Sequence, residues 1–267
     1  MKKLLSLVLA LTLACVCILS FASCGKKGKT LAEVKAAGEL VVATSPDFEP
    51  FEYLDGETVV GIEVEILKAI CEKLGVTLNL KQMDFDAVLP GVQAGKFDCG
   101  MSGITVTAER QKNMLFTDPY FVATQAIIVK AGSSITCKAD LDGKKVSAQT
   151  GTTAEEFCME KGYTVSAFSA NSDAEQALVN GNVDAWVIDN LTGIAMVEKY
   201  NEGKAEADKL VILSEAMTTE PYAFAFAFGS EDLVEEINKI QKAMIEDGTI
   251  AEIFKSFGED YAAPASK

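Results

Sequence analysis

The 267-residue chain contains no histidine. Missing with it are the most frequent general base, the most frequent metal ligand and the usual charge switch near neutral pH. Arginine is nearly absent as well: of 24 basic residues only Arg110 is an arginine. A guanidinium is a planar fork that grips a carboxylate through two parallel hydrogen bonds, whereas an ammonium is a point charge on a flexible stem. A chain that otherwise uses lysine therefore draws attention to Arg110. No CxxC spacing occurs among the seven cysteines, which argues against a zinc site. Positive charge as a whole is scarce. The formal net charge of −15 repels phosphate backbones and excludes nucleic acid as an expected partner. No metal and no cofactor is expected.

Only one apolar run is long. Lys2 and Lys3 precede residues 4–21, and the run ends in Phe21-Ala22-Ser23-Cys24-Gly25. The basic start, the length and the small residues before a cysteine read as a secretory signal, residues 1–23. The end resembles the lipobox of bacterial lipoproteins, which implies cleavage before Cys24 and lipid on that cysteine. Residues 24–36 then read as lipid anchor and tether, and the expected location is the outer face of the bacterial plasma membrane. Loss of Lys2 and Lys3 takes the formal charge from −15 to −17. What remains is long enough for two lobes, each with its own core. Cys71 and Cys99 sit in apolar stretches as core residues. Cys137 and Cys158 are open to pairing.

Strand and helix signals alternate from Leu40 onward. Residues 40–44, 76–80 and 97–101 read as strands. Residues 62–74 carry an apolar helical stripe that stops at Gly75, and Asp86 is placed to cap the next helix. A second unit of the same order follows, with strands at 144–148, 165–168 and 183–188. Capping boxes at Thr153–x–x–Glu156 and Ser172–x–x–Glu175 open its helices. The order implies two largely parallel sheets flanked by helices. Extended stretches at 120–130 and 217–228 read as two crossings that form a hinge, the second with the alternation of a half-buried strand. The expected division is 37–121 and 218–260 for lobe one, 122–217 for lobe two and 261–267 as a tail. Ligands of such sheets sit at the carboxyl ends of the strands, so two facing lobes would clasp a small molecule.

Arg110 falls in the first turn after the third strand of lobe one, with Thr107 as N-cap. Gly103 allows close backbone approach and Thr105 offers a hydroxyl, so the segment reads as a carboxylate receptor. Lobe two presents Gln149-Thr150-Gly151-Thr152-Thr153 after its first strand. Its hydroxyls and amides would reach the same carboxylate, with Thr153 also capping its helix. Asp189, at the end of a lobe-two strand, is an acceptor-only group suited to an ammonium. Phe48 and Phe85 each follow a lobe-one strand, where they would line the cleft or pack the core.

The segments at 40–53, 61–65, 83–86, 102–110, 116–120 and 247–254 together resemble the solute-binding proteins of polar amino acid ABC importers. The resemblance covers nearly all of the chain after the signal. It implies a two-lobed Venus-flytrap fold of the type II periplasmic-binding-protein class, monomeric, with a free L-amino acid as ligand and an ABC permease as partner. It implies that Arg110, with Gly103 and Thr105 and helped by Thr152 or Thr153, holds the α-carboxylate, and it places Ser102 among the ligand-binding residues. It gives Asp189 the ammonium, and sets Phe48 and Phe85 on either side of the ligand side chain. Relatives that bind glutamine or basic amino acids often carry aspartate at the position of Ser45. The serine here, with Gln149, favours a neutral polar side chain, and Asp47 is read as a solvated loop residue. An enzyme of the same fold, such as a cyclohexadienyl dehydratase, and a sensor domain are the alternatives. For an enzyme, Glu52 and Asp189 would be the candidate acid and base.

Overall fold

The computed structural model describes residues 28–264. The signal segment and Cys24 lie outside the described residues. Among the described residues, no helix is long and apolar enough to cross a membrane.

Among the described residues, fifteen strands form four sheets. In chain order they are β1 (Glu39–Thr44), β2 (Asp47–Phe48), β3 (Glu52–Asp55), β4 (Thr58–Val60), β5 (Thr77–Gln82), β6 (Cys99–Gly100), β7 (Leu115–Phe116) and β8 (Phe121–Ala123). β9 (Gln125–Lys130), β10 (Lys145–Gln149), β11 (Thr164–Phe168), β12 (Ala185–Asp189), β13 (Leu210–Ile212), β14 (Glu220–Tyr222) and β15 (Ala225–Phe226) follow. Lobe one is built on the sheet β5-β1-β6-β15-β7, and lobe two on β11-β10-β12-β9-β13. Three strands pair in parallel in each: β1, β5 and β6 in lobe one, and β10, β11 and β12 in lobe two. Each sheet then continues through an antiparallel strand, β15 beside β6 and β9 beside β12, to an edge strand, β7 or β13. The two sheets are thus mixed, because the crossing segments run on into them as strands. β8 and β14 pair antiparallel at the crossing itself, with Phe121 opposite Tyr222 and Ala123 opposite Glu220.

Helix Ile62–Leu74 follows its predicted stripe: Ile62, Ile66, Leu67, Ile70 and Leu74 are buried, and Gly75 ends the helix in the left-handed region. Its start is set by contacts with the loop before it. The amides of Ile62 and Glu63 donate to the carbonyls of Pro50 and Phe51. Phe51 itself lies at the centre of an aromatic group with Tyr222, Phe121 and Phe254. Separate apolar cores fill lobe one and lobe two, and Phe48 packs against both.

Several local expectations shift. The position before helix Phe85–Gln93 is Asp84, and Asp86 lies in the first turn. Thr152, not Thr153, caps helix Thr153–Glu160. The Thr153 hydroxyl is engaged elsewhere, accepting from Gln125 Nε2 and donating to Glu220. The Ser172 box does not form, because helix Asn171–Val179 begins one residue earlier and its first amide is taken by Asp47 of lobe one. Residues 222–227 are buried throughout rather than alternately. Most of the supposed tether belongs to lobe one: Thr30 caps a helix Leu31–Ala37 whose Val34 is fully buried. Cys71, Cys99, Cys137 and Cys158 are free thiols.

Gly61 precedes helix Ile62–Leu74 at φ 137°, and a Cβ there would lie 2.2 Å from the Phe51 carbonyl oxygen. Gly56, in the β3–β4 turn at φ 62°, has open space around it. Gly61→Ala should therefore lower lobe-one stability by about 3 kcal/mol or more. Gly56→Ala should cost only about 1 kcal/mol, the strain of a left-handed alanine. Urea denaturation of the two variants checks the difference.

Candidate functional site

The cleft between the lobes holds about 440 Å³ of empty space, the open solvent at its mouth included. Its walls come from the carboxyl ends of strands. Phe48 follows β1, Phe85 follows β5, and Ser102, Gly103, Thr105 and Arg110 follow β6. Across the cleft stand Gln149, Thr152 and Thr153 after β10, Asn171 after β11 and Asp189 at the end of β12. All of the expected site residues except Ser45 line this one cavity, and Ser45 is buried directly behind it.

Arg110 lies in a single helical turn, Ala108–Gln111, whose N-cap Thr107 accepts its backbone amide. Its guanidinium joins the lobes. One Nη donates to the Thr105 carbonyl of lobe one, and the other to the Gly151 carbonyl of lobe two, each at 3.0 Å. Burial pulls its pKa down, against the raising effect of nearby Glu156, Glu220 and Asp189.

Gly103 serves differently from the expectation. Its amide donates to the buried Glu63 carboxylate at 2.9 Å and so points away from the cleft. The missing side chain is what matters: a Cβ would stand 2.6 Å from the Phe48 ring, and φ is 53°. Ser102 is likewise tied behind the wall, donating to Glu52 at 2.8 Å and accepting the Ser45 amide. The Thr152 hydroxyl bonds within its own turn, to the Gln149 carbonyl.

Asp189 accepts a hydrogen bond from Tyr222 of the crossing strand β14. Burial pushes its carboxyl up to about 7, partly offset by the Tyr222 hydrogen bond and by Arg110.

At another part of the wall stands Asp47, which is not a solvated loop residue. It is partly buried and lines the cavity. Ser45 Oγ donates to its Oδ1 at 3.2 Å. Gln149 Nε2 and the Asn171 amide, both from lobe two, donate to its Oδ2 at 3.0 and 2.9 Å. The carboxylate thus caps a helix of the opposite lobe. Burial raises its pKa, while these donors act against the shift. The charged residues lining the cavity are Arg110, Asp47 and Asp189, one cation against two anions.

Asp47, Asn171 and Tyr222 escaped the sequence reading. The strand-end rule that selected Phe48 applies equally to Asp47, one residue earlier. Tyr222 has no such signal, because its role depends on the crossing strand returning beside β12.

The family model for bacterial extracellular solute-binding proteins, family 3, matches residues 40–260. The arginine-binding extracellular protein ArtP of Bacillus subtilis (strain 168) is 31% identical over 261 residues, covering 96% of this chain and 98% of that protein. A crystal structure of the P235GK mutant of ArgBP from T. maritima aligns at TM-score 0.79 and 35% identity, over 85% of this chain and 98% of that one. AncCDT-1, described as an ancestral amino acid-binding protein and a precursor of cyclohexadienyl dehydratase, aligns at TM-score 0.78 and 32% identity, over 86% and 99%. These relatives are described as binding proteins, not as enzymes.

An ammonium bound at Asp189 requires the ionised carboxylate, so binding lowers its pKa from the free value of about 7. Affinity for an α-amino acid should hold above that value. It should fall as pH drops through it, approaching about tenfold per unit. Asp189→Asn should bind weakly with a flattened acid limb. Calorimetric titration across pH checks both.

Proposed function

Because the chain belongs to the bacterial extracellular solute-binding proteins, family 3, we propose that it captures one free L-amino acid between its lobes and delivers it to the permease of an ABC importer. Lipid on Cys24 holds this monomeric carrier at the outer membrane face. Arg110 receives the α-carboxylate with its guanidinium, assisted by Thr105 and by the helix start at Thr152 and Thr153. Each charge-assisted hydrogen bond there contributes about 1.5–3 kcal/mol. Asp189 receives the α-ammonium. Phe48 and Phe85 line the path of the side chain, and Ser45, Asp47, Gln149 and Asn171 surround its polar end.

One observation carries the choice of side chain. A zwitterionic backbone balances Arg110 and Asp189 and leaves Asp47 without a cation. The neutral polar preference drawn from Ser45 and Gln149 set that carboxylate aside as a solvated loop residue. Asp47 favours a side chain rich in donors and positively charged, such as a guanidinium or ammonium, with an amide side chain as the weaker ligand. Closure follows from the same contacts. A ligand that touches both lobes shifts the equilibrium toward the closed form by its differential affinity alone.

Calorimetry of the protein lacking residues 1–23 should register arginine or lysine more tightly than glutamine. Agmatine, which is arginine without its α-carboxylate, should bind at least about tenfold more weakly, having lost the bidentate contact. Equal binding of agmatine would remove the role given to Arg110. Asp47→Asn should erase the preference for a cationic side chain while leaving glutamine affinity within a few-fold; an unchanged preference would remove the role of Asp47.

A further inference from the structure

Behind the cavity wall lies a pair of acidic side chains that the ligand does not reach. Glu52, on β3, and Glu63, in the first turn of helix Ile62–Leu74, are both fully buried. Among the described residues neither forms an ion pair with a lysine or arginine. Glu63 accepts two hydrogen bonds, from the Gly103 amide and from the Tyr120 hydroxyl. Glu52 Oε1 accepts the Ser102 hydroxyl, while Glu52 Oε2 is buried with no donor at all. The Glu63 carboxylate is the neighbour of Glu52, and Asp47 adds its negative charge from the cleft side. Cys99 also faces Glu63, and its thiol is itself pushed up by burial.

Two ionised carboxylates in contact without a cation would repel in a poorly solvating interior. An orphaned carboxyl oxygen beside an acceptor-only carboxylate is resolved by one proton between them. We propose that Glu52 is held protonated and donates to the Glu63 carboxyl group, and that this pair is a positioning device for the Ser102-Gly103 turn of the ligand cavity. Glu63 then accepts three donors: the Gly103 amide, Tyr120 and Glu52. Glu52 in turn accepts Ser102, whose hydroxyl also receives the Ser45 amide beside Asp47. Ser102 and Gly103, just beyond β6, are thereby fixed from behind, and Gly103 is pinned against Phe48. Burial and the Glu63 charge push the Glu52 carboxyl well above the ordinary carboxylate range, in keeping with this assignment. Rising pH that ionises Glu52 sets two carboxylates against each other and loosens the turn. Ligand affinity then gains an alkaline limb distinct from the acid limb of Asp189.

The consequence for affinity rests on the amino-acid reading of the cleft; the protonation does not. Difference infrared spectra of ligand-free wild type and Glu52→Gln near neutral pH decide the protonation directly. The expected loss is a protonated-acid C=O band, and loss of an ionised carboxylate band instead would overturn the assignment. Calorimetry with arginine as probe decides the positioning. An amide at position 52 can still accept from Ser102 and donate to Glu63, so Glu52→Gln should bind within about twofold of wild type and lack the alkaline limb. Glu63→Gln replaces a charged acceptor of the Gly103 amide and should weaken binding about tenfold, the scale of one charge-assisted hydrogen bond. Unchanged binding in Glu63→Gln, or a retained alkaline limb in Glu52→Gln, would overturn the positioning role. If arginine and the other amino acids fail to bind wild type, the proposed ligand class falls while the infrared result still stands. If Glu63→Gln does not fold, the pH profile of Glu52→Gln decides alone.

Discussion

The guanidinium of Arg110 is the contact on which the closed arrangement of the two lobes depends. It donates to a carbonyl in each, Thr105 on one side and Gly151 on the other. A lysine ammonium has no planar fork with which to span two fixed acceptors while presenting further N–H groups to a ligand. Each lobe has its own apolar core. What joins them in the cleft is mostly polar, Arg110 to Gly151 and Asp47 to Gln149 and Asn171, beside the one Phe48 ring that packs against both cores. Interfaces of that kind permit relative motion, because opening costs exchangeable hydrogen bonds rather than a buried apolar face.

The crossing strands tie this motion to the site. Tyr222 sits in β14, packs with Phe51 in the lobe-one core, and donates to Asp189 of lobe two. Glu220, two residues earlier, accepts from Thr153 at the start of a lobe-two helix. The hinge therefore ends in two hydrogen bonds that reach residues lining the cavity. Charge explains why ligand matters to closure. Closing buries Asp47 and Asp189 in a cavity lined by one guanidinium, and burial raises both carboxyls. A molecule that brings two positive groups and one carboxylate neutralises that excess in place.

Much of the architecture was legible because it is periodic. The stripe Ile62, Ile66, Leu67, Ile70, Leu74 and the recurring strand–helix order needed only local pattern. The strand-end rule brought Arg110, Asp189 and both phenylalanines to the cleft without any knowledge of contacts. Errors arose where one element's polar groups are answered by another. Thr153 lost its cap to Thr152 because its hydroxyl serves Glu220. The helix at Asn171 is capped by Asp47 from the opposite lobe. Gly103 turns its amide to Glu63, some forty positions earlier in the chain. No local spacing encodes such pairings. The family resemblance supplied residue roles, but it drew attention to Ser45 and away from Asp47, where the acidic group of this chain stands.

The central claim is that a bidentate guanidinium, and not positive charge alone, reads the carboxylate of the ligand and holds the lobes together. Arg110→Lys keeps the charge and removes the fork. Calorimetry of that variant with arginine, alongside its thermal unfolding, is the most direct measurement. The account predicts an unfolding midpoint near that of wild type, with affinity lowered by more than about tenfold. Wild-type affinity in the folded variant would contradict it.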